Sequence, residues 1–128
     1  MNFLCIIPAR SGSKGIKNKN IKKINNLTLI EHAYIFCNKF KEFKSIIVST
    51  DSKKYLSFLK KYNYKYNEFL RPKSISTKNS TDLEVLTYEL KRYEKYFKKK
   101  FDYVAFFPPT SPIRNISDIK KCLKIIKL

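Results

Sequence analysis

The residues best suited to chemistry lie together, just after the first apolar segment of the chain. Gly12 and Gly15 are the two glycines among the 128 residues. The cations Arg10, Lys14 and Lys19 lie in the same segment. Glycine adopts backbone angles closed to other residues, and successive main-chain N–H groups in such a turn bind anions. Arginine adds a planar fork for two phosphate oxygens, and lysine adds a point charge. The segment is typical of a triphosphate-binding loop; a glycine-containing surface turn is the alternative.

Two hydroxyl groups in the same segment, from Ser11 and Ser13, add further hydrogen-bond donors. The spacing is neither G-x-x-x-x-G-K-[ST] nor G-x-G-x-x-G, so neither common nucleotide-binding motif applies.

The elements that must position this loop alternate along the chain. Three short apolar segments favour strands, at 3–7, 45–50 and 103–107, and residues 65–70 are a further short strand candidate. Helix starts are indicated at Thr28, at Asp51 or Ser52, at Thr81 and at Asn115. Buried strands that alternate with amphipathic helices predict an α/β fold, with a mostly parallel sheet covered by helices on both faces. The loop at 8–22 then leaves the carboxyl end of the first strand, where such sheets bind ligands.

The length predicts a single domain, residues 1–128. Because the chain stops inside or just after its last helix, we expect this Rossmann-like fold to be incomplete. The third helix is predicted to bury one apolar face: Leu83, Leu86, Leu90, Tyr93 and Phe97.

The cysteines favour a reducing compartment. Cys5, Cys37 and Cys122 are far apart and odd in number. Cys5 lies in an apolar strand-like run, and the other two fall on apolar helical stripes. We therefore predict three buried, reduced thiols in a cytoplasmic protein. No apolar run approaches the ~20 residues of a membrane span, and we expect no signal peptide or membrane partner.

The net charge of +18 raises the possibility of a nucleic-acid partner. The lysines are spread along the whole chain and accompany many Ile, Asn, Tyr and Phe residues, which indicates compositional drift. We therefore do not expect nucleic acid as the partner, although a selected polyanion-binding surface stays an alternative.

The complete opening segment resembles a known signature. "IIPARSGSKGIKNKNI" is similar to the N-terminal motif of the acylneuraminate cytidylyltransferase family, the CMP-sialic acid synthetases. Further segments resemble the family in the same order: "IIVSTD" (46–51), "RP" (71–72), "STD" (80–82) and "PTSPIR" (109–114). The resemblance covers about the first half of a typical member and implies a fold of the nucleotide-diphospho-sugar transferase type.

The resemblance also implies a function: transfer of CMP from CTP to a nine-carbon sugar acid, with release of pyrophosphate. The residues that it implies for CTP are Arg10, Gly12, Ser13, Lys14, Gly15, Asn20, Arg71 and Ser80. Catalysis would involve Arg10, Lys14 and Lys19, and the sugar acid would contact Thr110, Ser111 and Arg114. Three of the four arginines, at 10, 71 and 114, occupy motif positions, and Arg92 falls outside them.

Several of these positions also have a purely structural interpretation. Ser80 and Thr81 suit helix capping, and 109–114 suits a rigid turn before Asn115. Asp51 is more typical of a helix cap than of a substrate contact, and His32 is expected at the surface or its boundary.

Two departures from the family pattern bear on activity. Pro108 stands where the family usually has a glutamine, so the side-chain amide that can bond the substrate is replaced by a residue without a side-chain donor. The Mg²⁺ implied by the family is expected to bind aspartates in a C-terminal half that these 128 residues do not include. We therefore expect weak CTP binding and little or no turnover from this chain alone, and a homodimer for a full-length member. The alternatives are a legionaminic- or pseudaminic-type substrate, a non-catalytic nucleotide-binding remnant, or a nucleic-acid binder.

Overall fold

A computed structural model describes residues 1–12, 17–111 and 114–127. Its main sheet has three parallel strands: β1 (Phe3–Pro8), β4 (Ser45–Ser49) and β5 (Tyr103–Phe106). Their order across the sheet is β4-β1-β5. A small antiparallel hairpin joins β2 (Lys23–Ile24) to β3 (Leu27–Thr28). The predicted parallel sheet is confirmed.

Four helices begin where the sequence indicates. They are α1 (Leu29–Cys37), α2 (Lys53–Ser57), α3 (Asp82–Phe97) and α4 (Ile116–Ile126). Thr28 and Thr81 form complete capping boxes, while Ser52 and Asn115 cap the other two helices. Each cap satisfies a main-chain N–H group that the helix itself cannot pair. Within the described ranges, no helix is both long and apolar enough to cross a membrane.

Side chains of β1 alternate between two cores. Cys5 and Ile7 face the larger core, to which α1, α2 and α4 contribute apolar side chains. Leu4 and Ile6 face the other side of the sheet and pack with Tyr93 of α3. Helices therefore cover both faces, as predicted for a parallel sheet.

The prediction of a short strand at 65–70 is wrong. The Tyr64 hydroxyl accepts a hydrogen bond from the main-chain N–H of Val48 at 2.8 Å. It therefore takes a position on the outer edge of β4 that a neighbouring strand would use. The segment rejoins β4 only beyond its end, where the Arg71 N–H donates to the Thr50 oxygen at 2.8 Å.

Three burial predictions are also wrong. Tyr103 and Val104 are 41% and 36% exposed, because β5 is an edge strand of the described sheet and not a buried central one. Leu83 is 73% exposed in the first turn of α3, where Val85 is the buried apolar residue. Cys122 is exposed on α4, whereas the other two cysteines are buried.

Candidate functional site

A pocket of about 170 Å³ lies where β1 and β5 reach their carboxyl ends. The structure brings six of the sequence-predicted site residues to its lining: Arg10, Lys19, Asn20, Arg71, Ser80 and Thr110. They come from separate parts of the chain, so the fold itself assembles them. Three of the six are cationic, and the arrangement suits a polyanionic ligand.

The loop after β1 is held in place by a residue that follows β4. Gly12 has a φ of +63°, in the left-handed region that favours glycine, which fits the predicted need for a glycine here. Asp51 accepts two hydrogen bonds from Ser11, one from its N–H at 2.9 Å and one from its hydroxyl at 2.7 Å. Both Ser11 donors are thus used by Asp51, whereas the sequence had suggested that the Ser11 hydroxyl donates a hydrogen bond to a phosphate.

Of the two residues predicted to cap α2, Ser52 is the cap and Asp51 is not. Burial acts to raise the pKa of Asp51, but the hydrogen bonds from Ser11 outweigh it and leave the pKa below its ordinary value. The carboxylate form is therefore the one that secures the loop.

Asn20 lies in the 3-10 turn Lys19–Ile21 and is buried. Its Nδ2 donates to the Arg10 main-chain oxygen at 3.1 Å, which fixes the amide against the loop. Its Oδ1 is buried without a hydrogen-bond partner among the described residues. A buried acceptor of this kind carries a desolvation cost that a ligand donor would remove.

Arg71 forms the buried wall of the pocket. Its Nε donates to Ser49 Oγ at 3.0 Å, its Nη2 to the Ser49 main-chain oxygen at 2.8 Å, and its Nη1 to the Ile75 oxygen at 3.3 Å. Burial lowers the pKa of Arg71, while the nearby Glu89 and Asp51 carboxylates oppose that shift. Arginine remains charged because its ordinary pKa is so high.

Sequence reasoning missed the charged pair behind this wall. Glu89 is fully buried on α3, and its Oε1 lies 2.6 Å from Arg92 Nη2 in an ion pair that lacks hydrogen-bond alignment. Arg92 also donates to the main-chain oxygens of Leu70 and Phe69, at 2.9 and 3.2 Å. The pair thereby fastens the segment that precedes Arg71 to α3. The sequence feature that could have indicated this pair is a glutamate within the apolar stripe of α3.

The start of α3 separates the two roles considered for Ser80 and Thr81. Thr81 is the helix cap, and Ser80 lines the pocket, where its Oγ accepts from the Thr77 N–H at 3.1 Å. Thr77 and Asp82 also line the pocket, and the sequence had not assigned them.

The proline-rich segment is divided between two locations. Thr110 lines the pocket, together with Pro108 and Pro109, whereas Ser111 does not. The Arg114 guanidinium lies over the rings of Phe36 and Phe107 and donates to the Pro108 oxygen, so the structure does not bring it to the pocket.

Three predicted site residues, Ser13, Lys14 and Gly15, lie outside the described residues. His32 is half-buried and its Nε2 donates to the Ile24 oxygen at 2.6 Å, which confirms its expected boundary position.

The described side chains do not form a metal site made of protein ligands alone. No three His, Cys, Asp or Glu side chains within 1–12, 17–111 and 114–127 are grouped so that they could hold one. Both Asp51 oxygens already accept from Ser11, and Asp82 is the lone carboxylate among the lining residues described.

Comparisons with known proteins give the family and the fold of this chain. Residues 4–126 match the family model described as cytidylyltransferase. The chain is 40% identical over 110 residues to the CMP-N,N'-diacetyllegionaminic acid synthase of Campylobacter jejuni, covering 86% of this chain and 46% of the relative. It is 31% identical over 123 residues to the N-acylneuraminate cytidylyltransferase of Escherichia coli, covering 96% and 28%.

A solved structure shares the fold. The structure of CMP:2-keto-3-deoxy-manno-octonic acid synthetase complexed with CTP superposes with a TM-score of 0.76 at 17% identity, covering 99% of this chain and 48% of that one. The chain thus spans about half the length, or less, of these three proteins. Because the family model covers nearly all of its residues, the chain belongs to the cytidylyltransferase family.

Proposed function

We propose that this chain is the CTP-binding part of a nucleotidyltransferase that transfers CMP from CTP to a nine-carbon sugar acid. The observation that carries the proposal is the pocket at the strand ends, where Arg10, Lys19 and Arg71 converge in a member of the cytidylyltransferase family.

In this reaction a sugar hydroxyl oxygen attacks the α-phosphorus of CTP. The new P–O bond forms as the bond to the bridging oxygen breaks. Pyrophosphate leaves with the bonding electron pair, and the hydroxyl proton passes to solvent. Arg10 and Lys19 would hold the triphosphate and offset the charge that develops on its oxygens. The Asn20 Oδ1 would accept a hydrogen bond from the bound nucleotide. Catalysis of this kind depends on positioning and charge, which a pocket built on strand ends supplies.

Mg²⁺ is proposed as a requirement of the complete enzyme, with ligands outside the residues described. The described residues hold no group of three potential metal ligands, so no catalytic step is assigned to the ion through this chain.

The sugar acid is proposed to be an N-acylneuraminate or a relative. A legionaminic-type acid is the second candidate, since a relative named for that product is 40% identical to this chain. Pro108 lines the pocket without a side-chain donor, so the Thr110 hydroxyl would have the larger part in recognition.

We further propose a cytoplasmic enzyme whose full-length form is a homodimer. The free, buried thiols of Cys5 and Cys37 support a reducing compartment. Turnover requires more than the CTP site, so we expect residues 1–128 to form little or no CMP-sugar in a steady-state assay. Normal turnover would contradict this expectation, and failure to bind CTP would remove the proposed role.

Calorimetric titration with CTP and with ATP tests the proposed site directly. We expect CTP to bind more tightly than ATP, and Arg10→Gln to weaken CTP binding by about tenfold or more, because a charge-assisted fork is lost. Lys95→Gln is the matched control, since it removes one positive charge from an exposed position on α3. Equal losses in the two variants would indicate non-specific attraction to a basic surface.

A further inference from the structure

A hollow separate from the nucleotide pocket lies between α4 and the segment that follows α1. Its volume is about 390 Å³, and it shares no lining residue with the pocket at the strand ends. Five exposed lysines form its rim: Lys39, Lys41, Lys120, Lys124 and Lys127. These five residues define the lysine groove.

The floor of the lysine groove is apolar. Phe40 and Leu123 also line it, and both belong to the larger core. They are 3% and 5% exposed, so they lie at the bottom of the hollow and do not protrude. Lysine stems cover apolar surface while their ammonium groups stay in water. The groove therefore offers an apolar floor within a cationic rim.

The helical repeat explains how α4 builds its side of the groove. Lys120, Lys124 and Lys127 are spaced i, i+4 and i+7, which places them on one face of the helix. Leu123 lies on the same face. Like charges four residues apart on a helix repel each other, and the segment after α1 adds two more lysines opposite them. An anionic partner would relieve this repulsion.

The chain itself shows how the groove binds a carboxylate. Glu42 lines the groove, and its Oε2 accepts a hydrogen bond from Lys127 Nζ at 2.5 Å. That hydrogen bond holds the pKa of Glu42 below its ordinary value, so the carboxylate form is the one bound. The other four lysines of the rim form no ion pair within residues 1–12, 17–111 and 114–127. Their ammonium groups are thus left for carboxylates of another molecule.

We propose that the lysine groove binds an acidic segment of a partner protein. In this complex an apolar side chain of the segment lies over Phe40 and Leu123, and its carboxylates pair with the lysines of the rim. Charge complementarity selects an anionic partner, and the apolar floor adds a requirement for an apolar anchor. The inference is independent of the proposed function, because none of these residues lines the nucleotide pocket.

The shape of the groove disfavours two other anionic partners. Single-stranded nucleic acid stacks its bases on accessible aromatic rings, whereas Phe40, the one aromatic residue in the described lining, is almost completely buried. An anionic membrane takes up protruding apolar side chains, whereas this floor is recessed. A protein segment can place a single side chain in such a hollow and keep its carboxylates at the rim.

Compositional drift toward lysine is the bland alternative, and the chain contains a matched control for it. Another hollow, of about 400 Å³, lies at the end of α3, and charged residues form its lining: Lys91, Glu94, Lys95, Lys98, Lys99 and Lys100. It has the charge balance of the lysine groove, five lysines and one glutamate, without an apolar residue in its described lining. Drift alone predicts that both hollows attract an acidic peptide equally.

NMR titration of the isotope-labelled chain with two synthetic peptides tests the inference. One peptide has a leucine between two runs of three glutamates, and the other has serine in its place. We expect signals of residues 39–42 and 120–127 to shift, and the leucine peptide to bind about fivefold more tightly, because part of a leucine side chain leaves water. Equal binding of the two peptides would show that the apolar floor takes no part, and would overturn the inference.

Two double variants, each lacking one i, i+4 lysine pair, locate the binding. Lys120→Gln with Lys124→Gln alters the lysine groove, and Lys91→Gln with Lys95→Gln alters the hollow on α3. All four lysines are exposed, so both variants should fold. We expect the first pair to weaken binding of the leucine peptide about fivefold, as for two exposed ion pairs, and the second by less than about twofold. Equal losses would indicate attraction to the net charge alone and would overturn the inference.

Competition experiments decide the class of partner. Oligothymidylate and vesicles of phosphatidylcholine with phosphatidylserine are added to the complex with the leucine peptide, each at the same total negative charge as the peptide. We expect neither to displace the peptide, since neither places an apolar group in a recessed floor. Displacement by either one would identify nucleic acid or a membrane surface as the better partner and would overturn the inference.

Discussion

Arg71 is fastened to the last residue of β4, since its Nε and Nη2 donate to the Ser49 hydroxyl and main-chain oxygen at 3.0 and 2.8 Å. The two contacts use the planar fork of the guanidinium on a single residue. A cation that lines the pocket is thereby fixed to the rigid sheet, and it needs little ordering when a ligand arrives.

Replacing Arg71 with lysine should show the value of that fork. Lysine keeps the charge but cannot make the paired contact with Ser49. We expect a loss of about 2 kcal/mol in the free energy of unfolding, the range for one or two charge-assisted hydrogen bonds. Urea denaturation measures this change, and CTP titration should show weaker binding in the same variant. Wild-type stability in the variant would mean that the Ser49 contacts contribute nothing net.

The Ser11–Asp51 contact predicts a dependence on acid. The lowered pKa of Asp51 means that its contribution to stability is present above the ordinary value of 3.8 and is lost as the pH falls through the folded-state pKa. We expect Asp51→Asn to cost about 1 kcal/mol at pH 7 and to reduce the loss of stability under acid. Urea denaturation at pH 7 and near pH 3 measures both.

Ser11→Ala and the double variant complete a cycle that isolates the contact. A coupling energy of zero between Ser11 and Asp51 at pH 7 would show that their side chains do not cooperate in holding the loop.

The contribution of Glu89 to stability should depend on pH in the opposite direction to that of Asp51. Burial raises its pKa despite the opposing effects of Ser49, Arg92 and Arg71. The folded state therefore binds the proton more tightly than the unfolded state does. The contribution of Glu89 to stability is largest below its ordinary pKa of 4.5 and is lost as the pH rises through the folded-state pKa.

Glu89→Gln cannot titrate, so we expect wild-type stability to fall relative to this variant as the pH rises from 4 to 7.5. Denaturation curves across that range give the difference in the free energy of unfolding. If the wild type instead gained on the variant with rising pH, the attraction of Arg92 and Arg71 would outweigh burial.

Local chemistry explains which parts of the fold could be read from the sequence. β1 and β4 are continuous apolar runs buried on both faces, and the helix caps are decided within four residues. Thr81 was expected to cap because Glu84 stands three residues later, and the structure has that capping box.

Two features of α3 could not be predicted from the local sequence. Leu83 fits the apolar stripe of α3 but lies in its first turn and remains exposed. Arg92 fell outside the motif, yet its fork serves the main-chain oxygens of Leu70 and Phe69, 22 and 23 residues away. That contact gives a structural reason for arginine there, and no local pattern could have indicated it.

Most of the candidate site could be predicted from the sequence, for a different reason. Arg10, Lys19 and Asn20 lie within one short segment, and the family resemblance supplied Arg71 and Ser80. Asp82 was missed because a first-turn acid is so common at helix starts that its type carries no signal before the pocket is seen.

Tyr64 accepts a hydrogen bond at the outer edge of β4, and its hydroxyl offers the last test. Tyr64→Phe keeps the buried ring but leaves the Val48 N–H without its 2.8 Å acceptor. An unpaired buried N–H costs about 1–3 kcal/mol, so we expect a loss of that size in urea denaturation and faster hydrogen exchange at Val48. Tyr96→Phe is the control, since Tyr96 is 53% exposed on α3 and should change stability by less than about 0.5 kcal/mol. Equal effects of the two substitutions would show that the Tyr64 hydroxyl does not close the outer edge of β4.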